Sequence, residues 1–178
     1  MPSNRVKKLV YAALFTALTA AAAWMAIPLP YVPITLQTFF VILAGAVLGA
    51  YFGSLSMVAY MLLGFIGLPV FARGQSGLGV LIGPTGGYLT GFVICALVTG
   101  LIVRTRKKPG VYWYGLAMAA GTLALYACGT VQLSIILRMP LDKALIIGVL
   151  PFLPGDILKI IVASFVAKKF NMESEARQ

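Results

Sequence analysis

The feature that most constrains this chain is a succession of apolar segments, each near the length of one bilayer crossing, separated by short connections that hold nearly all of its charge. A membrane helix needs about 20 apolar residues. Of 178 residues, 61% are hydrophobic and 10% charged, whereas a soluble domain carries about 25% charged residues. The expected fold is an all-α membrane protein built as a bundle of about six transmembrane helices. It forms one domain over residues 1–170, followed by a polar cytoplasmic tail over 171–178.

Helix limits follow from the breakers. The first segment, Leu9 to Ile27, stops at Pro28, Pro30 and Pro33, because proline lacks a backbone donor and disfavours helix in the residue before it. Its basic start at Arg5, Lys7 and Lys8 resembles a secretory leader, but it is read as the first membrane helix. From Thr35 to Val70 the apolar run is too long for one span, and Gly49, Ala50, Gly53 and Ser54 supply the break that makes it helices 2 and 3. A glycine-rich connection follows. Helix 4 is expected from Tyr88 to Val103 and helix 5 from Tyr112 to Leu133. A short piece from Ala144 to Leu150 is cut by Pro151 and Pro154, and the last helix runs from Gly155 to Phe170.

The net charge of +10 belongs to this topology rather than to nucleic-acid binding, since the Lys and Arg residues punctuate apolar segments instead of forming a stripe. The clusters before helix 1, after helix 4 (Arg104, Arg106, Lys107, Lys108) and after the last helix (Lys168, Lys169) are separated by even numbers of crossings. The positive-inside rule then puts both termini in the cytoplasm. Tyr112, Trp113 and Tyr114 at the inner boundary, with Trp24 and Tyr31 at the outer one, fit an aromatic belt. With no His and two isolated cysteines, Cys95 and Cys128, neither a metal site nor a Cys-His nucleophile is expected, and no cofactor is implied.

Four acidic residues occur, and only Asp156 lies within an apolar segment away from the tail and connections. Lys159 shares its helix face at i+3. Measured back from Lys168 at roughly 1.5 Å per residue, Lys159 lies about 13 Å and Asp156 about 18 Å into the hydrocarbon layer. A charge at that depth costs about 2.5–3.5 kcal/mol, so both should face the bundle interior or a wet cavity. Asp156 as an N-cap of the last helix is the structural alternative. It leaves Lys159 unexplained, because a cation in a first turn opposes the helix dipole. The Pro151–Pro154 interruption points the same way, since broken helix at membrane depth lines a cavity or is buried in protein. Gln37 with Thr35, and the glycine-rich connection carrying Arg73, Gln75, Thr85 and Tyr88, are expected around this cavity, the connection acting as a lid. No Gly-Lys-Ser or Gly-Lys-Thr is present, so the chain has no Walker motif. Small-residue stripes at Ala13, Ala17 and Ala21, and at Gly45, Gly49 and Gly53, serve either packing inside the bundle or docking to another membrane subunit.

Four motifs in order carry a resemblance: Val32-Pro33-Ile34-Thr35-Leu36-Gln37-Thr38, Gly64-Phe65-Ile66-Gly67-Leu68-Pro69-Val70-Phe71, Gly83-Pro84-Thr85-Gly86-Gly87-Tyr88, and Leu150-Pro151-Phe152-Leu153-Pro154-Gly155-Asp156-Ile157-Leu158-Lys159. Over nearly the whole membrane region the chain resembles the BioY family, the biotin-specific substrate-binding S-components of energy-coupling factor (ECF) transporters. The resemblance implies a six-helix component in the plasma (inner) membrane of a prokaryote that binds biotin from outside. It implies partners too: a transmembrane coupling subunit and two ATPase subunits, met through the Ala13, Ala17 and Ala21 face. Asp156 and Lys159 match the family's ligand residues, and the candidate set extends to Gln37, Thr35, Arg73, Phe71, Leu78, Thr85, Gly86 and Tyr88. A carboxylate suits ureido donors, while Lys159 suits either the ureido oxygen or the acid of biotin. The competing readings are an S-component for another small vitamin, a membrane-embedded enzyme using Asp156 and Lys159 as acid and base, and a passive channel. The enzyme lacks a His or a second deep acid. The channel lacks a repeated polar helix face.

Overall fold

Apolar residues at helical spacing, interrupted by Pro and Gly, give a helical bundle in the computed structural model, which describes residues 4–176. Its helices are α1 (Asn4–Ala22), α2 (Gln37–Phe65), α3 (Leu78–Leu81), α4 (Gly86–Val103), α5 (Val111–Leu137), α6 (Leu141–Gly148) and α7 (Leu153–Ala176). Two strands, β1 (Ala26–Ile27) and β2 (Ile34–Thr35), pair antiparallel. Among the described residues, α2, α4 and α5 are each long and apolar enough to cross a membrane, and α6 with α7, bent by 56°, passes as a fourth candidate.

Within α2 the chain reverses. Gly49 takes φ 77° and ψ 177°, a region essentially closed to residues with a Cβ. Gln37 and Tyr60, which a straight helix would hold about 35 Å apart at 1.5 Å per residue, are hydrogen-bonded to each other. A side chain at Gly53 would likewise strike Gly45. The glycine stripe is therefore spent inside the bundle, where Gly45 also lies against Ala96 and Thr99 of α4.

Several limits differ from the sequence expectation. The first helix begins at Asn4 and ends at Ala22, short of Ile27, because Ala26 and Ile27 extend to pair with Ile34 and Thr35. The final helix starts at Leu153 rather than Gly155, since Pro in a first turn gives up an N–H that would be unpaired anyway. It runs through the expected tail as far as Ala176, and the last two residues of that tail lie outside the described region. The glycine-rich connection is not plain coil: it holds a 3-10 turn (Ala72–Gly74) and α3. Gln132 of α5 holds the latter by donating to the carbonyls of Leu81 (2.9 Å) and Gly83 (2.8 Å).

The basic clusters gather at one end of the bundle. There the Lys8 ammonium lies 5.8 Å from the Phe52 ring, Arg106 stacks 4.1 Å over Trp113, and Tyr11 meets Phe170 edge to face. α1 has two unlike faces. Ala12, Phe15, Thr16 and Thr19 are buried, with the Thr16 hydroxyl 2.8 Å from the Ser56 carbonyl, whereas Ala13, Ala17 and Ala21 are exposed. The alanine stripe is thus not used for packing within the chain.

A Cβ added at either Gly49 or Gly110 would meet nothing within 4 Å, but Gly110 has an ordinary φ of −78°. Gly49→Ala should lower stability by about 1–3 kcal/mol while Gly110→Ala is near neutral, as thermal unfolding of the purified protein will record.

Candidate functional site

Away from the basic end, the first turn of α7 faces α2 and α5. On α7 the buried stripe runs Asp156, Ala163, Ser164 and Ala167, with Lys159 half-buried beside it, the i, i+3, i+4 spacing of a single helix face. Asp156 is 4% exposed. Its Oδ1 accepts from Lys159 Nζ at 2.7 Å and from the Thr38 hydroxyl at 3.0 Å, and its Oδ2 accepts from the Tyr126 hydroxyl at 2.5 Å. Lys159 Nζ donates further to the Thr38 hydroxyl and to the Thr35 carbonyl, both at 2.8 Å. Asp156 is therefore no cap. Its carboxylate is spent on side chains of α7, α2 and α5, and its own N–H is held by the Phe152 carbonyl at 2.8 Å. A buried ion pair is tolerable only when its remaining lone pairs and protons are satisfied, and this cluster meets that condition.

A second polar chain adjoins the first. The Gln37 amide donates to the Tyr60 hydroxyl, which donates to the Val70 carbonyl at 3.0 Å, and the Thr35 hydroxyl donates to Gln37 Oε1 at 3.1 Å. Gln37 thereby fastens the start of α2 to the segment that enters the glycine-rich connection. Tyr88 does similar work elsewhere. Its ring lies on Gly129 of α5 and beside Phe152 at 6.4 Å, and its hydroxyl donates to the Gly148 carbonyl at 2.8 Å.

These groups border a cavity that, counted out to its open mouth with the solvent there included, encloses about 630 Å³. Its polar groups include Thr35, Gln37, Thr38, Tyr126, Asp156 and Lys159, with Gln75, Thr85 and Tyr88 on other walls. Val32, Pro33, Phe71, Ala72, Val80, Leu89, Phe92, Leu125 and Phe152 make up the apolar lining. Such a site suits a largely apolar ligand oriented by a few placed polar groups.

Of the residues singled out from sequence, Asp156, Lys159, Gln37, Thr35, Phe71, Thr85 and Tyr88 meet at this cavity. Arg73, Leu78 and Gly86 do not line it. Arg73, at φ 61°, is exposed and donates to the Leu29 carbonyl at 2.8 Å. Leu78 is 55% exposed. Gly86 is buried between Leu81 and Gln132, where it gives α4 room to start. Sequence reasoning passed over Thr38 and Tyr126. Thr38 had a signal in its place one residue after Gln37. Tyr126 stands in a stripe with Thr122 and Thr130, four residues to either side, and that spacing marks one face of α5.

The ion pair can be tested without any ligand. Asp156→Ala leaves the Lys159 ammonium buried and should cost about 3–5 kcal/mol, whereas Asp156→Leu with Lys159→Met should cost clearly less. Chemical denaturation of the two variants in detergent measures the difference.

The chain is 43% identical over 171 residues to the biotin transporter BioY of Thermotoga maritima, covering 94% of this chain and 99% of that one. To the biotin transporter BioY of Rhodobacter capsulatus it is 41% identical over 167 residues, covering 87% and 88%. A crystal structure at 2.1 Å of the S-component for biotin from an ECF-type ABC transporter superposes with a TM-score of 0.86 at 30% identity, covering 97% of this chain and 95% of that one. The BioY family model matches residues 1–175, and with these relatives that match means that the chain belongs to the BioY family.

Proposed function

We propose that this chain is the high-affinity biotin-binding component of a vitamin uptake transporter, a carrier component and not an enzyme. One observation carries the reading most: a satisfied but acceptor-bearing polar cluster, buried in the wall of a mostly apolar cavity, in a chain whose relatives are named biotin transporters. Biotin offers a ureido ring with two N–H donors, an apolar fused ring and chain, and an acid. The ureido donors suit Asp156, and the remainder suits Phe71, Phe92, Leu125 and Phe152. Thr35, Gln37, Thr85 and Tyr88 complete the contact set. Arg73, Leu78 and Gly86 support the connection above it.

In the membrane we place six crossings: α1, the two arms of α2 either side of Gly49, α4, α5, and α6 with α7 as one broken span. The single domain covers residues 1–170 and the tail follows it. Both termini and the basic end face the cytoplasm under the positive-inside rule, so the cavity opens outward across the plasma (inner) membrane of a prokaryote. The chain has no Walker motif, so energy comes from elsewhere, through an ECF transmembrane coupling subunit and two ATPase subunits. The exposed Ala13, Ala17 and Ala21 face supports docking there, because small side chains let helices approach closely.

Equilibrium titration of the purified chain with biotin, riboflavin and thiamine tests the ligand: biotin binds tightly without nucleotide, and equal affinity for all three sinks the assignment. Asp156→Asn should weaken biotin binding by roughly a hundredfold, since a hydrogen-bonding site left mispaired loses far more than an apolar contact. Ala17→Leu should leave biotin affinity intact and abolish uptake in cells that carry the full transporter. Unimpaired uptake would move the docking face elsewhere.

A further inference from the structure

Lys159 is the only cation among the described residues that line the cavity, and its three N–H bonds are matched by three acceptors: the Thr35 carbonyl, the Thr38 hydroxyl and Asp156 Oδ1, at 2.8, 2.8 and 2.7 Å. A carboxylate brought to it would displace one of these and stand against the Asp156 carboxylate in apolar surroundings, where like charges repel strongly. Asp156 presents the opposite opportunity. Its Oδ1 already accepts twice, while Oδ2 accepts from Tyr126 and keeps room for one more donor. The polar end of the cavity therefore selects a neutral N–H and turns away an anion.

The acid of the ligand must then lie toward the mouth, where the exposed lining residue is the neutral Gln75. Arg73, two residues earlier, is exposed and donates to the Leu29 carbonyl at 2.8 Å. An ion pair made there in water is worth at most about fivefold in affinity. Resting on the biotin assignment above, we infer that the site reads the ureido ring and not the charge of the acid, and so also takes biotin derivatives whose carboxyl is capped as a neutral amide.

Three ligands titrated against the purified full-length chain test this: biotin, its primary amide (isosteric with the acid but uncharged) and biotin methylated on a ureido nitrogen. The amide should bind within about tenfold of biotin, and the methylated ring should lose about a hundredfold or more. A larger loss for the amide overturns the inference. Arg73→Gln should change the ratio of biotin to amide affinity by no more than about fivefold, and a larger change overturns the inference as well, because Arg73 would then be reading the acid. Failure of biotin itself to bind is a different result and strikes the assignment beneath it.

Discussion

An ammonium and a carboxylate placed in an apolar layer must find every partner within the protein, and that requirement organises the site. Asp156 and Lys159 stand on α7, Thr35 and Thr38 flank the start of α2, and Tyr126 comes from the middle of α5. Three elements distant in sequence are thus fixed to one another by charge-assisted hydrogen bonds, which are shorter and stronger than neutral ones. If any of the three shifts, a buried charge loses a partner. The network works as a positional lock at the place where a ligand must find a preformed acceptor.

The second requirement is space beside that lock. The α6–α7 break, the short β1–β2 ladder and the connection between the second arm of α2 and α4 all fall at the cavity end of the bundle. Interrupted helices leave room for a hollow beside the lock, and irregular backbone at membrane depth is tolerated where protein buries it or where it lines a cavity. Here Gln132, Tyr60 and Tyr88 take up the carbonyls of Leu81, Gly83, Val70 and Gly148 that the irregular segments leave. The apolar wall of the cavity is supported from behind by a polar scaffold.

Much of this was legible in the residues. Prolines and glycines set most breaks to within a few positions, and the break expected across Gly49, Ala50, Gly53 and Ser54 falls at Gly49, whose positive φ with an extended ψ suits glycine. The single deep acid pointed to the site. What escaped was of two kinds. The strand-like pairing of Ala26–Ile27 with Ile34–Thr35 is a contact across a proline-rich loop and has no local periodicity to announce it. Arg73 and Leu78 looked like cavity residues by proximity in sequence, yet the positive φ of Arg73 sends its side chain to Leu29 instead. Local pattern finds elements and charges, while the direction of a loop side chain depends on partners far along the chain.

α1 contributes no residue to the cavity lining, and it packs on the bundle mainly through α2, with Tyr11 against Phe170 of α7. Substitutions at its exposed alanines and substitutions around the cavity fall on separate sets of residues, and sites without shared partners usually act additively. The lining of the hollow and the outer surface of α1 can therefore change by mutation independently of each other.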